Sequence, residues 1–230
     1  LRSVHGKKSK VATIGAAGEN QVPMASVMHE GRHGRAAGRC GLGAVMGAKR
    51  LKAIVASGNQ SVPIADPEGL KRQIRDMLSR IKTSSAFLRQ YGTSGGLMCL
   101  EASGDMPIKN FAQGHFAAGE RITGEILAET YLSGRFACGA CPIGCGREIE
   151  MNSDKYGHVS GAGPEYETLA SLGAYCLIDD LAAICKGNEL CNRYGMDTIS
   201  VGAAIAFAME AYEKGLITTA DTDGVRLAWG

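Results

Sequence analysis

Three cysteines within eight positions constrain this chain more than any other feature. They lie in RFACGACPIGCGR, residues 135–147, as Cys138-x2-Cys141-x3-Cys145. Gly139, Gly144 and Gly146 are interleaved with them, and Pro142 follows the second thiol directly. Proline removes an amide donor and glycine frees the backbone, so no regular helix or strand runs through. An irregular turn can instead bring three thiolates to one side with amides pointing inward. Cubane iron–sulfur clusters take four cysteines. Structural zinc usually pairs two Cys-x2–4-Cys knuckles, and there is no second knuckle here. The spacing favours an iron–sulfur site, with zinc and a metal-free turn as alternatives. Arg135 and Arg147 flank the stretch with charge that suits an anionic thiolate cluster. No fourth thiol is evident for it.

The chain has eight cysteines in 230 residues. Cys99, Cys176, Cys185 and Cys191 sit among apolar residues in helix-like stretches, the setting of buried free thiols. This argues for a reducing compartment rather than a secreted disulfide framework. Net charge is +2, which marks neither a nucleic-acid binder nor a membrane-surface protein. No apolar run reaches the roughly 18 residues of a membrane span. The N-terminus lacks Met and an apolar leader core, and the chain stops one residue after Trp229. Both suggest a piece of a longer protein.

Short Val- and Ile-rich runs at 9–14 and 50–57 read as strands. Between them, the glycine-rich and basic stretch around 29–50 reads as a loop built for backbone contact. A linker at 61–69 ends with Asp66 as N-cap and Pro67 at the first helical position. Beyond it, helical patterns run over about 67–83, 124–133, 165–176, 179–194 and 197–214. The last of these sets Ile199, Ala203, Phe207 and Met209 on one side. The expected fold is therefore an α/β N-terminal piece over 1–60 followed by a mainly α-helical domain over 61–230.

Three further stretches carry candidate chemistry. GRAAGRCGLGAVMGAKRLKAI, residues 34–54, fits neither a Walker A loop nor a dinucleotide fingerprint. It is either a tight glycine turn or an anion-binding loop; Arg35, Arg39 and Lys49 favour the anion. In GPEYETLASLG, residues 163–173, Glu165 and Glu167 flank Tyr166 at a helix start. They are either partners of the helix dipole or a general base beside an orienting phenol. In CNRYGMDTIS, residues 191–200, Gly195 ends one helix and Asp197 caps the next.

These four stretches, in this order, resemble the aldehyde ferredoxin oxidoreductase family. The matching segments are IGAAGEN (14–20), GRCGLGAVMGAKRLKAIVASG (38–58), ACGACPIGCGR (137–147), GPEYET (163–168) and NRYGMDTISVGAAIAFAMEAYEKGLIT (192–218). The resemblance implies a tungsten (or molybdenum) bis-pterin beside a [4Fe–4S] cluster, with Mg2+ bridging the pterin phosphates. It implies that Cys138, Cys141 and Cys145 ligate the cluster, the fourth ligand lying outside this chain. Arg39, Cys40, Gly41 and Gly43 then fall on the pterin loop. Asn192, Gly195, Met196 and Asp197 fall on a second pterin motif, where Asn192 replaces the family's aspartate and Met196 its leucine. Glu167 matches a glutamate near the metal, with Tyr166 and Glu165 beside it.

The implied activity is oxidation of an aldehyde to a carboxylic acid with water as oxygen source. Electrons would leave through the cluster to ferredoxin or another low-potential acceptor. The implied protein is cytoplasmic, a homo-oligomer or a subunit of a redox complex, with no nucleic-acid or membrane partner. By the same resemblance, residues 1–60 close a sheet-rich cofactor-binding domain. The alternatives are a tungsten-dependent aryl-CoA reductase subunit on the same scaffold, and a non-catalytic iron–sulfur or zinc module.

Overall fold

The computed structural model describes all residues 1–230. After a short helix α1 (Arg2–His5), strand β1 (Lys10–Ile14) leads through α2 (Ala16–Glu19) to β2 (Val27–His29) and β3 (Arg35–Ala37). Helix α3 (Leu42–Ala48) and β4 (Ala53–Ala56) complete the first piece. The four strands form one antiparallel sheet, ordered β3-β2-β1-β4, with Val11 opposite Val55 and Ala12 opposite His29. The two expected strands are present. The stretch between them is not a plain loop, however: it contains β2, β3 and α3. Three-residue strands in glycine-rich sequence carry too few alternating side chains to show a period of two.

Helix α4 (Pro67–Ser84) starts where Asp66 and Pro67 indicate, with the Asp66 carboxylate accepting from the Gly69 amide at 2.9 Å. Two short helices follow, α5 (Ala86–Tyr91) and α6 (Leu97–Ala102), and then α7 (Gly124–Thr130). The chain does not continue helically from there. A three-stranded antiparallel meander, β5 (Leu132–Phe136), β6 (Gly146–Ser153) and β7 (Gly157–Ala162), occupies the centre of the expected helical domain. Along β6, Arg147, Ile149 and Met151 are buried while Glu150 and Asn152 face solvent, the alternation of a half-buried strand. The second piece is thus mixed rather than mainly helical.

The last three helices are α8 (Tyr166–Leu172), α9 (Leu181–Tyr194) and α10 (Thr198–Glu213). The expected helix over 165–176 breaks at Gly173, and residues 174–176 form a single 3-10 turn. In α10, Gly202, Ala206 and Ala211 are buried and Phe207 is exposed. The predicted face through Ile199, Ala203, Phe207 and Met209 is therefore not the packed one. Small residues let α10 lie close against α8, a requirement that a hydrophobicity pattern does not express.

The core lies between the β5–β7 sheet and the helices around it. Leu97, Ile122, Leu127, Ile149, Leu169 and Ile184 are each at most 1% exposed. Full burial of each such side chain contributes roughly 1.5–3 kcal/mol. The first sheet contributes no residue to this cluster. Gly195 ends α9 with φ +73°, and a Cβ there would stand 2.8 Å from the Gly15 nitrogen. The Ser26 amide donates to the Gly195 carbonyl at 2.8 Å, and the Asp197 amide to that of Met24 at 3.0 Å. The turn between α9 and α10 is so stitched to the β1–β2 connection. No single helix is long and apolar enough to cross a membrane.

Candidate functional site

The cysteine stretch is the connection of the β5–β6 hairpin, closed by Phe136 opposite Gly146. Its turns use Ala140 at φ +59° and Gly144 at φ +67°, and the Cys141 amide donates to the Cys138 carbonyl at 3.0 Å. Cys138 is exposed; Cys141 and Cys145 are half-buried. Burial pushes the Cys145 thiol up, the Glu165 carboxylate adds to that, and Arg35 opposes it. No three His, Cys, Asp or Glu side chains converge on a point that could hold one metal ion. The three thiols share a loop without sharing a centre.

All eight cysteines are unpaired. Cys176, Cys185 and Cys191 are buried as expected, and burial pushes their thiols up to about 11, 12 and 11. Cys99, expected in the core, is exposed. It sits on the outer side of α6, whose buried residues are Leu97 and Glu101.

Strand β3 and the turn before it connect the two sheets through charge. Arg32 and His33 reach Glu148 at 3.2 and 3.0 Å. Arg35 pairs with Glu165 at 3.1 Å and lies 4.9 Å over the Phe136 ring, on which His33 also stacks at 4.0 Å. The other Glu165 oxygen accepts from the Thr93 hydroxyl at 2.6 Å, and that hydroxyl in turn accepts from the Tyr166 amide. Glu165 is fully engaged.

Glu167, two residues on, is exposed and hydrogen-bonds to no protein group. Its charge is felt by two phenols, Tyr166 and Tyr175, both pushed up chiefly by burial. Tyr175 also feels Arg39, which lowers it. The three candidates at the start of α8 therefore differ: Glu165 is paired with Arg35 and Thr93 at the cavity wall, Tyr166 packs against the core, and Glu167 is exposed.

The 192–197 motif lies beside that second group. Asp197, 7% exposed, accepts from the Ile199 and Ser200 amides at 3.3 and 3.0 Å and from the Ser200 hydroxyl at 2.5 Å. The Arg39 Nε stands 3.6 Å from it. A cavity of about 130 Å³ is lined by Arg35, Thr168, Asn188, Asn192, Met196 and Asp197, among others. The buried Nε of Arg35 has no hydrogen-bond partner. An unpaired buried donor costs roughly 1–3 kcal/mol, so a ligand acceptor at this place would offset a standing penalty.

Other expected ligand residues stand elsewhere. Gly41 (φ +68°) and Gly43 pack on backbone: a Cβ would fall 2.5 Å from the Pro23 oxygen and 2.6 Å from the Ser26 oxygen. Cys40 is exposed with φ +71°, and Lys49 ends α3 outside the cavity. Thr93, His33, Arg89 and Tyr175 carry site contacts that no local motif announces.

A thiol-bearing hairpin and a polar cavity are linked through Arg35, which stacks on Phe136 at the start of the hairpin connection and lines the cavity, and together they form a candidate cofactor site. Residues 1–58 match the family described as "Aldehyde ferredoxin oxidoreductase, N-terminal domain", and residues 70–230 match "Aldehyde ferredoxin oxidoreductase, domains 2 & 3". The chain belongs to the aldehyde ferredoxin oxidoreductase family, a family of oxidoreductases. It is 41% identical to the tungsten-containing aldehyde ferredoxin oxidoreductase of Pyrococcus furiosus and 40% identical to that of Thermococcus kodakarensis. Each alignment covers 100% of this chain and 38% of the relative. A more distant relative, 31% identical over 97% of this chain and 36% of its own length, is the WOR-like subunit of the Pyrococcus furiosus aliphatic sulfonate oxidoreductase. Among solved structures, the active-site complex BamBC of benzoyl-coenzyme A reductase shares the fold, with TM-score 0.77 at 23% identity. That match covers 99% of this chain and 36% of the other. The chain thus spans little more than a third of the proteins it matches.

Proposed function

We propose that this chain forms part of an enzyme oxidising aldehydes to carboxylic acids, with electrons leaving through a [4Fe–4S] cluster to ferredoxin or a similar low-potential acceptor. The observation that carries the proposal is an orphaned buried donor on Arg35, a residue that lines a polar cavity and also stacks on Phe136 where the thiol loop begins. When bound, the pterin-held tungsten or molybdenum supplies two-electron redox chemistry and the cluster supplies single-electron transfer.

The residues suit these groups by their chemistry. Cys138, Cys141 and Cys145 would hold the cluster. A single three-cysteine turn with no second Cys-x2–4-Cys knuckle suits a cluster better than structural zinc. Arg35, Asn192 and Asp197 would meet the polar edge of a pterin, Arg35 with its free donor and Asp197 as acceptor. A cavity of about 130 Å³ admits such an edge and not the whole group. Arg39 would meet its phosphates, where a guanidinium fork fits. Gly41, Gly43 and Gly195 then act by letting backbone segments pack closely, and Cys40 and Met196 contribute shape. On this reading residues 1–60 belong to one cofactor-binding domain and 61–230 to the next.

Glu167 is the group best suited to take a proton: exposed, unpartnered, beside two phenols held in their neutral form. Tyr166 packs against the core beside it, and Glu165 holds Arg35. Glu167→Gln should lower aldehyde turnover by about 10²–10⁴-fold while leaving iron and tungsten content unchanged. Turnover at the wild-type level would refute that role. Reduction of an aryl-CoA thioester in place of aldehyde oxidation would move the enzyme to the reductase branch.

A further inference from the structure

We propose that Arg147 is a positioning residue for the metal cluster: a buried, fixed cation that shapes the Cys145 turn and raises the cluster's reduction potential. This rests on Cys138, Cys141 and Cys145 being cluster ligands. Arg147 is 1% exposed and is the largest fully buried side chain in the protein. Its Nε donates to the Cys145 carbonyl at 3.1 Å, and one terminal nitrogen donates to the carbonyls of Arg89 at 2.6 Å and Gly144 at 3.4 Å. The other terminal nitrogen donates to the Gln90 carbonyl. Every bond goes to backbone oxygen, and no carboxylate pairs with it.

A guanidinium taken out of water without a counter-ion is costly. Carbonyl dipoles return only part of that cost. Arg89, whose side chain bonds to the Ile143 carbonyl, brings a second cation to the same loop. Glu165 is already paired with Arg35 and hydrogen-bonded by Thr93. The guanidinium is therefore a buried cation with no paired carboxylate, held on the backbone of the residue that bears the Cys145 thiol.

The contacts also fix the loop. Arg147 gathers Gly144 and Cys145 to the C-terminal carbonyls of α5, and the Arg89 side chain reciprocates by donating to the Ile143 carbonyl at 2.9 Å. Gly92, just past α5, comes so near that a Cβ would meet the Cys145 oxygen at 3.1 Å. Two arginines thus tie three successive loop carbonyls, at Ile143, Gly144 and Cys145. A thiolate-held cluster becomes one charge more negative when it takes an electron. A fixed buried cation beside one ligand favours that reduced state.

The test is an EPR-monitored redox titration of the holoenzyme, with iron and sulfide assayed in the same samples. Arg147→Gln should keep its iron and shift the midpoint potential downward, and Arg147→Lys should return it most of the way. A glutamine variant with full iron and the wild-type potential would overturn the proposal. A folded glutamine variant that loses its iron, regained in Arg147→Lys, supports it. If the glutamine variant does not fold, lysine decides, because it keeps the charge and at most part of the hydrogen bonding. Wild-type iron and potential in that variant support the charge role, and loss of the cluster from a folded lysine variant overturns it. Failure of both to fold overturns it too, since Arg147 would then serve the whole fold. Absence of iron and sulfide from the wild-type holoenzyme would instead refute the cluster reading itself.

Discussion

Asp197 joins the fold to the cavity, and replacing it separates the two roles. Asp197→Ala removes a side chain that accepts two amides at the start of α10 and one hydroxyl. Loss of an N-cap costs about 0.5–2 kcal/mol, and loss of a carboxylate at a helix N-terminus adds about 0.3–1 kcal/mol. The Arg39 partner is 64% exposed, so that pair contributes at most about 1 kcal/mol. The expected total is about 2 kcal/mol, or a fall in Tm of roughly 4–8 °C for a chain of this size. Asp197→Asn retains a good cap and should lose less than about 1 kcal/mol. Both variants remove the anionic acceptor lining the cavity, so on the proposed function both should release pterin. Thermal unfolding followed by circular dichroism measures the first effect, and fluorescence of the oxidised pterin measures the second. Equal instability of the asparagine and alanine variants, or an unchanged Tm in the alanine variant, would rule out the capping role.

Gly195→Ala forces a side chain to φ +73° against the Gly15 backbone. It should cost more than about 1–2 kcal/mol and raise amide exchange in residues 24–26, as read by mass spectrometry. Iodoacetamide at pH 8 should label Cys40, Cys99 and Cys138 in the native protein freed of iron, and spare Cys176, Cys185 and Cys191. Labelling of the last three without denaturant would refute their burial. Those three thiols, held neutral to about 11–12 when folded, ionise near 9 once unfolded. Their contribution to stability is therefore full below pH 9 and declines as pH rises past it. Denaturant titrations from pH 7 to 10 should show the fall.

Much of the site could be read from residues because its signals are local. Cys138, Cys141 and Cys145 lie on one turn whose glycines and proline exclude regular structure. Asp66, Gly195 and Asp197 act where caps act, within three or four residues of their own position. The β5–β7 sheet was missed although Ile149 and Met151 alternate correctly, because Leu132–Phe136 is short and its hairpin connection is long. Cys99 was misplaced because an apolar neighbourhood in sequence does not say which side of a six-residue helix faces in.

Sequence alone determined the thiol loop, the capped helices and the family, since each depends on residue types at short, fixed spacing. Tertiary structure decided which carboxylate is free. Glu165 and Glu167 are equivalent in GPEYET. Arg35 and Thr93, 130 and 72 residues away from Glu165 along the chain, engage one and leave the other. It also decided that Arg147, an ordinary flanking charge in the sequence, is buried against carbonyls from α5. Desolvation and pairing depend on what the folded chain brings near, and no local pattern records that.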